Sequence, residues 1–365
     1  MSLDKHETDG TESRLNIDWL SFTFKIADLR HCERAGFMGF TRETQPHFPK
    51  QPKYKSQKAA SLEQIDAYNE KMRNVFSEYY TECLKAFVVH VLGLSLSPLR
   101  DKGFQFYENS FNLFSEDGSQ FCGLVGIGGN NDTVHFQING TGCKHVLARR
   151  SAFSLHHWLH KVLGVQTLSR IDIAYDDYDG IFDCDYALTA AYEDAFRLNP
   201  RGRSPKVKDD REFFFGKTFN ERTYTKEQIS VGSRQSPVYW RIYNKKLEQK
   251  IESDDFVWYR SEVELKKWNI DILLNIKGGF AALNDFARSI ESSPSFHTKI
   301  TKEKRPAFDL LNATYWLKRQ YGGILNDLLE LYNGNSKHVL ATVVRDSKTI
   351  GLPRTYSNLL NMALE

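Results

Sequence analysis

Three stretches, "RIDIAYDD" (170–177), "PVYWRIYNKK" (237–246) and "VWYRSEVELKK" (257–267), constrain the fold of this chain most tightly. An extended strand sends successive side chains to opposite faces. Arg170, Asp172, Ala174 and Asp176 then share one face, opposite Ile171, Ile173 and Tyr175. Tyr239, Arg241, Tyr243 and Lys245 oppose Val238, Trp240 and Ile242, while Arg260, Glu262, Glu264 and Lys266 oppose Val263 and Leu265. Strands of this kind belong to antiparallel sheets with one face packed on a core. "IDWLSFTF" (17–24) and "TVHFQING" (133–140) alternate in the same way, and "QFYENSFNLF" and "FCGLVGIGG" read as paired strands. Residues 62–93, 151–164 and 313–334 have helical periodicity instead. The expected class is α+β: antiparallel β-sheets carry the site, helices pack on the opposite face, and the C-terminal region is helical.

Residues 1–14 read as a flexible tail, 15–270 as the α+β core and 271–365 as a mostly helical region. The boundary is soft, within 270–300, where "SSPSF" and "KEKRP" bring loop chemistry. An apolar share of 41% and an aromatic share of 13% exclude disorder of the whole chain. The net charge of +3 neither requires nor forbids nucleic acid. Cys32, Cys83, Cys122, Cys143 and Cys184 are odd in number and lack a C-x-x-C pair, which fits a reducing cytoplasm better than a disulfide scaffold. The start of the chain has no signal-peptide apolar run, and the most apolar window, 86–99, falls short of the ~20 residues a bilayer needs. A cytoplasmic protein without a membrane segment is expected.

If the three strands are neighbours, their polar face gathers carboxylates and cations around a tyrosine. Carboxylate oxygens are hard ligands of the kind Mg²⁺ or Mn²⁺ prefers. A tyrosine hydroxyl ordinarily titrates near ~10; cations and a metal beside it favour the phenolate. A phenolate can attack a phosphate and form a covalent ester, while Arg241 and Lys245 neutralise charge on the phosphoryl oxygens. The competing reading makes Tyr243 one core aromatic among 17 tyrosines, and pairs Asp172 and Glu262 with Arg170 and Arg260. Tyr239 shares the face of Tyr243 and is its nearest competitor; Tyr175 and Tyr224 rank below.

"IDWLSFTF", "HFQINGTGC", "RIDIAYDD", "GSRQSPVYWRIYNKKLEQ" and "YRSEVELKK" occur in that order. As an ordered set they resemble the replication initiation factor family: non-HUH rolling-circle initiators of plasmids and filamentous phages, with related mobile-element relaxases. The resemblance runs from about residue 16 to about 335. It implies a metal-dependent nickase that cuts one strand of a double-strand origin, joins a tyrosine to the 5′-phosphate and later rejoins the strand. It further implies Tyr243 as nucleophile and Asp172 and Glu262 as metal ligands, with Asp176 and Glu264 behind them. The implied partners are origin DNA, a host helicase of the UvrD/Rep type and a second copy of the chain. The chain has no H-x-H, the metal motif of the other large nickase group. A relaxase of an integrative element and a non-catalytic DNA-binding regulator are the alternative functions.

"RLNPRGRSPKVKDDR" (197–211) has six Lys/Arg against two Asp, and its Gly and Pro read as a loop. Arg201, Arg203, Lys206 and Lys208 are candidate phosphate contacts there, with Arg234 nearby in the "GSRQS" motif and "KITKEKRP" (299–306) as a weaker basic segment. His156 and His160 are spaced i, i+4 but lack a third ligand nearby in sequence, so a helix surface is the simpler reading. "GIGGNN" (126–131) lacks the Lys-Ser/Thr ending of a phosphate loop and reads as a hairpin turn, so no ATPase is expected.

Overall fold

The computed structural model describes residues 14–35, 47, 49, 62–100, 102–199, 201–218, 221–251, 256–298 and 310–344. The expected features at residues 1–13 and at "KITKEKRP" lie outside them, as does nearly all of the stretch 41–60. Contacts divide the chain into two compact units, Met1–Ile300 and Thr301–Glu365.

In the first unit ten strands form one sheet. They are β1 (Leu15–Lys25), β2 (Leu94–Leu96), β3 (Asn109–Ser115), β4 (Phe121–Ile127), β5 (Thr133–Asn139), β6 (Thr167–Asp177), β7 (Val207–Asp209), β10 (Gln228–Gly232), β11 (Val238–Asn244) and β12 (Tyr259–Asn269). Their order is β2-β3-β4-β5-β1-β6-β12-β11-β10-β7, and every pairing is antiparallel. A separate hairpin pairs β8 (Glu212–Phe215) with β9 (Arg222–Lys226). The expected α+β class is the class found. The turn at 128–131 joins β4 to β5, with Gly128 and Gly129 at φ of 79° and 66°, a region open to glycine for want of a Cβ.

One face of the sheet is apolar because the alternation is kept across strands. Phe22 pairs with Phe136, Val263 with Ile173, and Trp240 with both Val263 and Val231. These side chains are buried. Helices Gly140–Arg149, Ala152–His156 and Cys184–Tyr192 contribute Val146, Leu155 and Ala187 to the same core. Phe22 and Phe136 stack with ring centroids 4.9 Å apart. Truncating either ring to alanine costs about 3–5 kcal/mol, through lost burial and the cavity left behind.

Two segments form strands that the sequence reading did not give. Residues 94–96, just past the helical stretch 62–93, form β2. Within the basic segment read as loop, Val207–Asp209 is an edge strand of the main sheet. After residue 270, helices Ile276–Ala281 and Asp285–Ile290 put Phe280 and Phe286 into the core beside Trp240, with ring centroids 5.6 Å away in each case. In the second unit, helices Leu310–Leu331 and Ser336–Val343 are joined by a turn in which the Asn335 side chain accepts from the Lys337 and His338 amides.

Candidate active site on the polar face of the sheet

β6, β12 and β11 are consecutive in the sheet. Their register sets Tyr243 opposite Arg260, Arg241 opposite Glu262 and Tyr239 opposite Glu264. On the other side of β12, Arg260 meets Asp176, Glu264 meets Asp172 and Lys266 meets Arg170. Directly opposed residues of antiparallel strands lie close enough for their side chains to interact. The face expected from three separate stretches is therefore one surface.

Two groups of contacts occupy it. In the first, the Tyr243 hydroxyl donates to Glu262 Oε2 at 3.2 Å, and Arg241 pairs with Glu262 Oε1. Arg170 grips Asp172 with both arms, at 2.8 and 2.5 Å, and reaches Glu264 at 2.9 Å, where Lys266 also binds at 2.8 Å. In the second group Arg260 holds Asp176 through two bonds of 2.7 Å, and the Trp258 indole donates to it at 2.7 Å. The second group borders a cleft of about 1020 Å³ that Asp18, Lys144 and Lys245 also line. These carboxylates are deeply buried: Asp172 is 2% exposed and Glu262 4%. Charges so placed persist only when paired and hydrogen-bonded, which the arginines supply.

Burial pushes the Asp172 carboxyl up to about 6; Arg170 pulls against it, while Glu262 and Glu264 add to the rise. Tyr243, 7% exposed, is raised well above its ordinary value, first by burial and then by Glu262, with Arg260 and Arg241 opposing. Of the cations and metal expected to favour a phenolate, the cations act in that direction and do not suffice alone. Desolvation and the Glu262 charge outweigh them, and the hydroxyl sits as a neutral donor with its acceptor in place.

Lys245 also reaches this group by a different route from the one expected. The strand ends at Asn244, whose side chain accepts from the Leu247 amide and caps a one-turn helix, Lys245–Glu248. Alternation thus stops short of Lys245, yet its ammonium lies 5.5 Å from the Tyr243 ring centroid, with Arg241 at 5.9 Å. Tyr239 is half-buried, with the Arg234 guanidinium 5.8 Å from its ring. Tyr175 lies buried among core residues, and Tyr224 packs on Phe213 in the separate hairpin.

Asp172, Glu262 and Glu264 offer hard oxygen donors that fit Mg²⁺ or Mn²⁺ in kind, with Asp176 in the neighbouring group. Among the described residues no three acidic, histidine or cysteine side chains are grouped to hold an ion as they stand; arginine or lysine holds each carboxylate instead. His156 and His160 do not pair on a metal. His156, buried rather than on a surface, bonds Asp271 at 2.9 Å, and His160 bonds the Val165 carbonyl at 3.0 Å.

Arg201, Arg203, Lys206 and Lys208 are all exposed, as is Arg234. Lys208 stands opposite Ser230, and Ser230 opposite Arg241, so the basic segment lies beyond the three strands of the active face, with β10 between them. Arg203 and Lys206 line a second cleft of about 470 Å³ with Phe196 and Trp240. Sequence reasoning missed Asp18. Simple alternation puts it with Leu20 and Phe22 in the core, but a bulge between Ile17 and Trp19 shifts the register. Asp18 emerges 3.5 Å from Arg260 instead, as bulges beside functional sites often re-aim one side chain.

Residues 166–344 match the family model described as replication initiation factor. No curated protein matches the chain. Among solved structures the chain is similar to the rolling circle replication initiator protein from Geobacillus stearothermophilus, at 16% identity and a TM-score of 0.44, over 80% of this chain and 90% of that one. Among the described residues no helix is long and apolar enough to cross a membrane.

Proposed function

From the match of residues 166–344 to the replication initiation factor family model, we propose that the chain initiates rolling-circle replication by nicking one strand of an origin through Tyr243. The observation that carries this reading is the Tyr243 hydroxyl donating to Glu262 Oε2 between Arg241 and Lys245. Glu262 takes the phenolic proton as Tyr243 Oη attacks phosphorus. The P–O3′ bond breaks as the P–Oη bond forms, and the departing 3′ oxygen takes a proton from solvent water, while the proton on Glu262 is later returned to solvent. Arg241 and Lys245 offset the charge that builds on the phosphoryl oxygens. The bond energy remains in the tyrosyl ester, so a returning 3′-hydroxyl rejoins the strand without ATP.

Asp172 and Glu262, with Asp176 and Glu264 beside them, would hold Mg²⁺ or Mn²⁺. Such an ion polarises the phosphodiester when bound. Arg201, Arg203, Lys206, Lys208 and Arg234 would bind the DNA backbone. A UvrD/Rep-type helicase and a second copy of the chain complete the proposed partners, and a relaxase of an integrative element would use the same chemistry.

The burial of Tyr243 and the pairing of every carboxylate around it favour one second reading, a DNA-binding regulator without catalysis. A single experiment separates the two. The protein is incubated with the supercoiled parent replicon and divalent metal, then denatured in detergent. An adduct that survives, with a 5′ end mapped at one site, supports the nickase. Tyr243→Phe should lose that adduct and keep DNA binding, because it removes one hydrogen bond of about 1 kcal/mol and little volume. Adduct formation by Tyr243→Phe moves the assignment to Tyr239; binding with no adduct in the wild type favours the regulator.

A further inference from the structure

The hairpin of β8 and β9 carries three consecutive phenylalanines, Phe213, Phe214 and Phe215. Phe214 is 69% exposed and Phe215 59%. Two adjacent aromatic rings so open to water are unusual on a surface strand, since each leaves apolar area hydrated that a core position would remove from water. The hairpin is also outside the main sheet, and an isolated two-stranded hairpin is marginally stable in water. It is held by its own aromatics: Phe213 lies 5.3 Å from Phe215 and 5.6 Å from Tyr224, and the Arg222 guanidinium sits 4.7 Å from the Phe213 ring.

Its root lies beside the proposed nucleophile. β9 ends at Lys226, and two residues later Gln228 pairs directly with Tyr243. Glu227, between them, accepts from the Asn244 amide at 3.1 Å and the Tyr259 hydroxyl at 2.8 Å. The hairpin's base is thus tied to the strand that carries Tyr243, through Asn244, and to its neighbour β12, through Tyr259. Exposed cations accompany the rings: Arg222 and Lys226 on β9, and Lys217 beyond β8.

We propose that this hairpin is a two-sided stacking platform for unpaired bases of the DNA strand next to the scissile phosphate: Phe214 and Phe215, successive residues that project from opposite faces of the hairpin, each meet a base, and the flanking cations meet the backbone. The inference rests on the reading of the chain as an origin-handling protein and extends it from the phosphate to the bases. Exposed aromatics bordered by cations are what single strands bind without sequence readout, because every base has a π-face. A duplex hides those faces, so the platform prefers single-stranded DNA. A strand held there leaves its phosphates at the edge of the face that contains Tyr243.

The test measures binding without cleavage. Fluorescence anisotropy with a short labelled single-stranded origin oligonucleotide is read in chelator, on the Tyr243→Phe background. Phe214→Ala and Phe215→Ala are compared with that parent; the melt of Phe214→Ala should coincide with it, whereas Phe215→Ala also gives up its packing on Phe213, so its loss of binding counts only against the abasic control below. Each ring removed should weaken single-strand binding about 5- to 100-fold, with little change for duplex. The slope of log affinity against log salt should stay the same, since no phosphate contact is lost. An oligonucleotide with abasic positions opposite the hairpin should bind the parent as weakly as the intact one binds the variants. Unchanged single-strand affinity in the double variant overturns the proposal whether or not the chain nicks. So does an equal loss for intact and abasic strands, which would point to a protein partner for the rings. Failure of nicking with the stacking signature intact would instead remove only the catalytic reading.

Discussion

Glu262 joins the nucleophile, the neutralising arginine and the carboxylate cluster, so Glu262→Gln separates catalysis from stability. The amide keeps the shape and one acceptor oxygen but loses the charge. Arg241 then donates to the neutral amide oxygen while the Tyr243 hydroxyl faces the NH2 group and can only accept from it, and the buried charge-assisted bond weakens by about 1–2 kcal/mol. Part of this is returned. The Glu262 charge helps raise Asp172 from 3.8 to about 6, a rise led by burial, and each tenfold change in proton affinity is about 1.4 kcal/mol. Removing one of three raising influences recovers a fraction of that. The expected net effect is a fall of about 1 kcal/mol, or roughly 1–3 °C in Tm for a unit of this size, read by calorimetry at neutral pH. Nicking should respond far more strongly. Loss of a positioned base costs about 10²–10⁴-fold, and loss of a metal ligand would act in the same direction. Covalent adduct within threefold of wild type would refute both roles. A stability loss with normal nicking would leave Glu262 as a structural partner of Arg241 alone.

Chelator should stop adduct formation, and Mg²⁺ or Mn²⁺ should restore it; Asp172→Asn should abolish that rescue, and full activity in chelator would remove the metal role. Reversing Arg201, Arg203, Lys206 and Lys208 together should weaken DNA binding and flatten its salt dependence by ~0.9 per phosphate contact on duplex DNA, whereas an unchanged slope would mean these side chains meet only water. His135 supplies a pH dependence remote from the carboxylates. Burial lowers it from 6.5 to about 4, and Thr23 Oγ1 meets its Nδ1 at 2.8 Å. A depressed histidine favours the neutral ring in the fold, so its contribution is present above the unfolded value near 6.5 and lost as pH falls toward 4. The raised Asp172 carboxyl works in the opposite sense over the same window, so the test is the difference between proteins: in urea melts His135→Asn should lose up to about 3 kcal/mol less stability than wild type across it, and equal losses would assign the acid sensitivity elsewhere.

The strands and their two faces were legible in the sequence because alternation is local. Asp172, Glu262 and Tyr243 share a face by counting alone. Their adjacency was not legible, since strand order depends on contacts between segments far apart in the chain. Where local geometry departs from regular strand, counting misleads. The bulge at Asp18 turns a side chain counted as core toward Arg260, and the cap at Asn244 starts a helix where Lys245 was counted as strand. The protonation of Tyr243 was not legible for a different reason. Sequence shows which charges are near, but the burial that outweighs them is a property of the packed face. Three consecutive phenylalanines in the hairpin at 212–226 read equally well as core residues from sequence, and they declare themselves as surface aromatics only through their exposure.

The site and the fold are one constraint because the sheet has a single workable register. A slip of β12 by one residue against β6 would carry Arg260, Glu262 and Glu264 into the helix-covered core and turn Val263 and Leu265 toward the polar face. An unpaired charge in that core costs several kcal/mol even after relaxation, and three such charges approach the whole stability of a domain, about 5–15 kcal/mol. The same slip would separate Arg260 from Asp176 and Arg241 from Glu262, breaking both buried pairs. Apolar packing of Ile173, Val263 and Trp240 on one face and ion pairing on the other therefore select the same alignment. Tyr243 inherits its distance to Glu262 from that double selection, so a substitution on the apolar face that shifted β11 would reach the hydroxyl without touching it.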